Sequence, residues 1–242
     1  MNQQRYSVRF DRRWWYGIPL FFIALLLAFE PTRLDFAIAD LFYVHGLGFI
    51  GRHNDFLENV LHDRAKQLVI AVGVLALIGF VISLFPTRLR PLRLTLGYLV
   101  LAMGISGGFV SPLKQVTQMQ CPWSLEQFGG VEHFSPLLGA RAEPVEKPGN
   151  CWPGGHAAAG FALFALFFAL RDRRPNVAHV ALIAATSLGT LFSLVRMAQG
   201  AHFFSHNLWT ALLCWLICLT LYDLMLYRPQ PMASTAPVTE LR

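Results

Sequence analysis

Apolar residues along this chain come in long, nearly unbroken runs separated by short charged segments. A bilayer core about 30 Å thick is crossed by a helix of about 20 predominantly apolar residues. Six runs approach that length, at 14–29, 67–85, 92–110, 156–170, 177–195 and 203–222. The first opens on Trp14, Trp15 and Tyr16, ring types favoured at a membrane interface. It is followed by Glu30, Pro31, Thr32 and Arg33, which form no small-residue cleavage site, so it reads as a retained span. The fourth run is short and stops at Arg171, Asp172, Arg173 and Arg174. The pattern predicts an all-α polytopic membrane protein with six transmembrane helices. Between the first two runs, Leu34, Phe36, Ala37, Ile38, Leu41, Phe42 and Tyr43, and later Phe56, Leu57, Val60 and Leu61, have the spacing of short amphipathic helices lying on the membrane surface.

Composition agrees. Of 242 residues, 55% are hydrophobic and only 14% charged, and mean hydropathy is +0.45, against roughly 25% charged residues in a soluble domain. A soluble enzyme, a disordered chain, a collagen and a coiled coil are all excluded. The net charge of +6 then reports topology and not a nucleic-acid partner. With six spans, the side holding the amino terminus collects 12 of the 20 cations and 4 of the 14 acids, so both termini are expected in the cytoplasm. The expected organisation is a cytoplasmic segment over 1–13, a membrane domain over 14–227 and a disordered cytoplasmic tail over 228–242. Two long segments, 30–66 and 111–153, and a short turn near Gly200 then lie on the far side.

Side chains suited to catalysis gather in three places, all on that far side. Lys114 is followed, after six residues, by Cys121-Pro122-Trp123. Pro153-Gly154-Gly155-His156 stands at the start of the fourth run, where proline suits a first helical position and glycine amides can approach an anion closely. Arg196 is followed by His202, His206 and Asn207, the two histidines four apart and so on one helix face. Arginine suits bidentate phosphate contact, and imidazole serves as nucleophile, acid or base near neutral pH. Taken singly, each cluster also reads as interfacial residues at a helix end; their coincidence on one side favours a site.

These clusters resemble the three signature motifs of the type 2 phosphatidic acid phosphatase superfamily: Lys, six residues, Arg-Pro; Pro-Ser-Gly-His; and Ser-Arg, five residues, His, three residues, Asp. Lys114 and Pro122 match the first, with Cys121 in place of Arg. Pro153, Gly155 and His156 match the second, with Gly154 in place of Ser. Arg196 and His202 match the third, with Val195 in place of Ser and His206 in place of Asp. The resemblance covers about 92–222. Cys-Pro-Trp in the first motif and Ser205-His206-Asn207-Leu208-Trp209 in the third resemble a divergent bacterial subgroup.

The resemblance implies a metal-independent phosphatase without cofactors. His202 attacks phosphorus and carries a phosphohistidine, Lys114 and Arg196 stabilise the phosphoryl charge, and His156 protonates the leaving oxygen and then activates water. Amides at Gly154 and Gly155 help to hold phosphate. Arg141 or Lys147 is the expected substitute for the absent arginine. His206, Asn207, Glu126 or Glu132 is the expected substitute for the absent aspartate. Cys121 and Cys151, each close to a motif on the oxidising side of a bacterial envelope, are predicted to pair, two free thiols being the alternative. A metal site at His133, His156, His202, His206 and Glu132 is the weaker reading, since only one pair has ligand spacing and Lys114 and Arg196 repel a cation. The expected substrate is a lipid phosphate of the undecaprenyl diphosphate, phosphatidylglycerol phosphate or lipid A class. The expected place is a bacterial inner membrane, with the active site facing the periplasm or exterior and no obligate protein partner. Phosphotransfer to a second lipid, or phospholipid binding or transport without turnover, is the alternative function.

Overall fold

The computed structural model describes residues 10–52, 65–139 and 148–228. Within them run α1 (Arg12–Ala28), α2 (Thr32–Asp40), a hairpin of β1 (Tyr43–Val44) and β2 (Gly48–Phe49), α3 (Ala65–Ser83), α4 (Arg93–Gly108), α5 (Val110–Thr117), α6 (Gly155–Phe161), α7 (Phe164–Leu170), α8 (Pro175–Ala198) and α9 (Phe204–Met225).

Every apolar run falls on helix, but the six-span expectation is met only in part. Three stretches among the described residues are long and apolar enough to cross a membrane: Arg90–Ser124, which takes in α4 and α5, then α8, then α9. A fourth is reached if α1 and α2, bent by 89° at the break between them, count as one. Gln67–Ser83 and Gly155–Leu170 are apolar but shorter. The latter reaches about 24 Å at 1.5 Å per residue, short of a core of about 30 Å, and it is broken as well. At the junction of α6 and α7 the backbone tightens, with Leu163 N–H donating to Gly160 O (3.2 Å) and Ala165 N–H to Ala162 O (3.1 Å). Nothing in a uniformly apolar run signals such a break.

Two further expectations are corrected locally. The chain is not purely helical, because residues 43–49 reverse in an antiparallel hairpin that pairs Tyr43 with Phe49, Gly46 and Gly48 both standing at positive φ. Of the predicted surface helices, α2 is present, turned away from α1, whereas the one expected over 56–61 lies outside the described residues. So do residues 1–9 and 229–242, where most of the terminal segment and tail were expected.

The core sits among α4, α6, α7, α8 and α9, around Tyr98, Ala102, Ala157, Phe168, Ala185, Cys214 and Tyr222. Small residues let these helices close up, as where Gly160 of α6 meets Gly189 of α8 with no room for a side chain between them. Large apolar side chains point outward: Phe21, Leu75 and Ile183 are each more than 60% exposed. A surface of that kind suits lipid, and this is a membrane protein. At the end of the bundle away from the three motifs, buried Arg171 lies 4.5 Å from the Trp15 ring centroid and close over Phe10 and Tyr222. Beside it Arg12 pairs with Asp223 at 2.8 Å. These cation–π and ionic contacts fasten α1 to α7 and α9.

Candidate active site

Segments distant in sequence meet where α5 ends, α6 begins and α8 turns into α9. Lys114, half-buried on α5, brings its Nζ within 3.7 Å of the point a Cβ on Gly155 would occupy. Arg196 lies in the last turn of α8, donates to Gln199 Oε1 at 2.8 Å and has its guanidinium 5.9 Å from the Trp123 ring centroid. Helix α8 ends with Ala201 N–H donating to Arg196 O (2.9 Å) and Gly200 at φ +71°, a left-handed closure that turns the chain toward α9. His202 sits in that link, 3% exposed. His206 and Asn207 occupy the first turn of α9, both buried, the His202 and His206 rings 6.2 Å apart between centroids. His156 is the second residue of α6 and half-buried.

The imidazole of His202 is held by a backbone oxygen. Its Nδ1 lies 2.7 Å from Cys151 O. A carbonyl only accepts, so Nδ1 carries the hydrogen and Nε2 keeps its lone pair. Burial pushes His202 well below the ordinary histidine value, and His206, Lys114 and Arg196 add to that, so the ring is neutral and nucleophilic at Nε2. The partner of His202 Nδ1 is thus the Cys151 carbonyl, and not His206, Asn207, Glu126 or Glu132, the side chains that the sequence offered for that place. Glu126 is turned instead toward His133, 3.2 Å away. Asn207 donates its Nδ2 to Phe203 O (3.0 Å).

Cys151 is itself fixed from three directions. It forms a disulfide with Cys121, the Cα atoms 5.1 Å apart; its N–H donates to Met119 O (3.1 Å); and the adjoining Trp152 O accepts from Thr117 Oγ1 of α5 (3.1 Å). The first and second motifs are thus stitched together below the third.

The second motif differs in detail from its sequence reading. Helix α6 starts at Gly155, so Pro153 precedes the N-cap Gly154 and is not the first helical residue. The Gly154 N–H donates to Thr210 Oγ1 (2.8 Å), whose hydroxyl in turn donates to His206 O (2.8 Å). That amide is committed to α9, and Gly155, at the first helical position, is the glycine whose N–H lies outside the helix's own hydrogen bonding. A Cβ at position 154 would lie 2.5 Å from Asn207 Oδ1, so any side chain there requires that amide to move. A serine in the second motif and an asparagine at 207 compete for one space.

Asp35 went unnoticed in the sequence. This α2 residue is 5% exposed and accepts from Ser205 N–H (2.8 Å) and Ser205 Oγ (2.5 Å), a carboxylate seated on the N-terminus of α9. Its position in an amphipathic surface stretch, far from any motif, carries no local signal. Arg141 and Lys147 lie outside the described residues. Among the described residues no group of three or more His, Cys, Asp or Glu side chains comes together as a metal set.

Comparison with known proteins gives the chain's kinship. A curated relative, the lipid A 4'-phosphatase of Francisella tularensis subsp. novicida (strain U112), is 29% identical over 214 residues, which cover 86% of this chain and 94% of that protein. No solved structure matches. The PAP2 superfamily pattern matches residues 95–230, a stretch that contains Lys114, His156, Arg196 and His202, and the chain belongs to that superfamily.

Proposed function

We propose that this protein is a metal-independent lipid phosphatase that removes a phosphate monoester from an envelope lipid of the lipid A class, through a phosphohistidine on His202. The observation that carries the reading is the hydrogen bond from His202 Nδ1 to the Cys151 carbonyl, which sets the tautomer a nucleophilic imidazole needs. The His202 Nε2 lone pair attacks phosphorus, a P–N bond forms and the P–O bond to the lipid breaks. His156 gives its proton to the departing lipid oxygen, then takes one from the water that cleaves the P–N bond. Lys114 and Arg196 stabilise the charge on the equatorial oxygens. The carbonyl and the disulfide do for His202 what the missing third-motif aspartate does elsewhere in the family.

Support for a lipid comes from an apolar groove of about 540 Å³ between α1 and α9, walled by Trp14, Ile18, Phe22, Leu208, Leu212 and Trp215. The lining of this groove is apolar throughout, as an acyl chain requires. The lipid A class is favoured because a relative named for that activity aligns over most of both chains. The reading places the site on the periplasmic or exterior face of a bacterial inner membrane with both termini cytoplasmic, as the charge distribution suggests.

The test is phosphate release by purified protein from lipid A, phosphatidylglycerol phosphate and undecaprenyl diphosphate, with chelator present. Release from lipid A, lost by on the order of 10³-fold or more in His202→Ala, and an acid-labile phosphoprotein in the wild type alone, are expected. Unchanged turnover in His202→Ala refutes the mechanism, and tight lipid binding without release points to a binding protein.

A further inference from the structure

The first motif lacks the arginine that would give the phosphate a second guanidinium, and Cys121 is consumed by its disulfide. A phosphate monoester carries about −1.5 to −2 charge at pH 7, and in the phosphatase reading the buried, neutral His202 that attacks it adds no positive charge to offset this. We infer that Arg52, from the loop after β2, is a phosphate-contacting residue that supplies this missing cation.

Three observations converge on it. The Arg52 guanidinium lies 5.6 Å from the Trp123 ring centroid, and Arg196 lies over the same ring at 5.9 Å. Trp123 belongs to the first motif, and its backbone N–H donates to Gly200 O (2.9 Å), so the third-motif arginine and Arg52 each lie near one aromatic side chain that is tied to the turn leading to His202.

The loop is also built to stay there. Gly51 N–H donates to Ala198 O (2.9 Å), two residues beyond Arg196. A Cβ at Gly51 would lie 2.9 Å from the backbone of Ala198, so only glycine allows this approach. On the other side of the same contact Phe49 packs against Gly200. Arg52 is therefore anchored at its backbone to the end of the helix that carries Arg196.

Finally, its head lies at the surface. The side chain is exposed, and among the described residues Arg52 makes no ion pair; its one described side-chain contact is the Trp123 ring. A long exposed side chain swings from the ring to an incoming phosphate at small cost, and its planar fork suits two phosphate oxygens.

The inference rests on the phosphatase reading, and the experiment separates the two. Phosphate release from lipid A is measured for wild type, Arg52→Ala, Arg52→Lys, Arg33→Ala and Arg141→Ala, together with competitive inhibition by inorganic phosphate. Arg52→Ala is expected to lower kcat/KM by about 10- to 100-fold and to weaken inhibition by phosphate in step. Arg52→Lys recovers part of both, and Arg33→Ala, an exposed cation of the same amino-terminal region, changes neither. Elution volume and melting temperature of each variant report folding. Wild-type kinetics and inhibition in Arg52→Ala overturn the proposal, as does a loss confined to Arg141→Ala. Should the wild type release no phosphate from any lipid, the phosphatase reading fails by itself. Calorimetric binding of inorganic phosphate to wild type and Arg52→Ala then decides the matter, equal affinities refuting the role.

Discussion

Cutting the bond between Cys121 and Cys151 tests two statements at once, one about stability and one about the nucleophile. The substitution of choice is Cys121→Ser, which leaves Cys151 and its carbonyl in the chain and removes only the cross-link. The bond closes a loop with a sequence separation of 30. On the chain-entropy account that restricts the unfolded state by about 12 cal/mol/K, or about 3.6 kcal/mol at 25 °C. At about 2–4 °C per kcal/mol for a chain of this size, the melting temperature should fall by about 10 °C.

The effect on turnover has a separate origin. The Cys151 carbonyl is positioned by the disulfide, by Met119 O and by the neighbouring Trp152–Thr117 contact. Without the first of these it loses its close register with the His202 ring, and a nucleophile misplaced by about 1 Å costs about 100-fold. Turnover is expected to slow by about 10- to 100-fold, with KM nearly unchanged, because Lys114 and Arg196 stay on α5 and α8. The assay is phosphate release in detergent at a temperature well below the melting point of both forms, with a reductant-treated wild type alongside. A variant that melts lower yet turns over at the wild-type rate refutes the positioning argument, and unchanged melting refutes the cross-link's role in stability.

Two other perturbations follow from the same packing. Gly154→Ala puts a methyl group within 2.5 Å of Asn207 Oδ1, an overpacking of about 1–3 kcal/mol; the melting temperature should fall by several degrees and recover in the Gly154→Ala/Asn207→Ala double variant, and additive losses in the double variant count against a shared space. His202 is neutral when folded because burial holds its pKa down, while the unfolded chain takes up a proton near pH 6.5. The unfolded state therefore binds more protons, and stability is fully present above about pH 6.5 and declines below it by up to about 1.4 kcal/mol per pH unit until the folded pKa is reached. Unfolding midpoints between pH 7.5 and 4.5 should slope less in His202→Gln than in wild type; parallel slopes would show that the ring is not held neutral.

How much of this was readable beforehand depends on where each signal resides. The helical segments were legible because uninterrupted apolar runs of membrane length have few other uses, and α8 (Pro175–Ala198) and α9 (Phe204–Met225) lie within a few residues of their runs. That Lys114, Arg196 and His202 gather in one place was legible because the spacing is local to a helix end and the residue types are rare in an apolar chain. The break between α6 and α7 was not, since composition is uniform across it. Nor was the partner of His202: a backbone carbonyl has no residue type of its own, so nothing in the letter Cys151 announces that its oxygen orients an imidazole. Asp35 and Arg52 were hidden for a third reason. Each acts across more than 60 residues of intervening chain, on Ser205 and on Trp123, and only the fold brings them near.

The seat of Asp35 on Ser205 bears on where this protein's working unit begins. The superfamily pattern starts at residue 95, yet the carboxylate that satisfies the first turn of α9 comes from α2, the glycine pressed on Ala198 from the loop after β2, and Trp15 stacks on Trp215 from α1. A fragment trimmed to the recognisable region would keep every signature residue and lose the props that hold two of them still. The border of the family pattern and the border of the machine fall in different places, and expression, truncation or grafting of this scaffold has to respect the second.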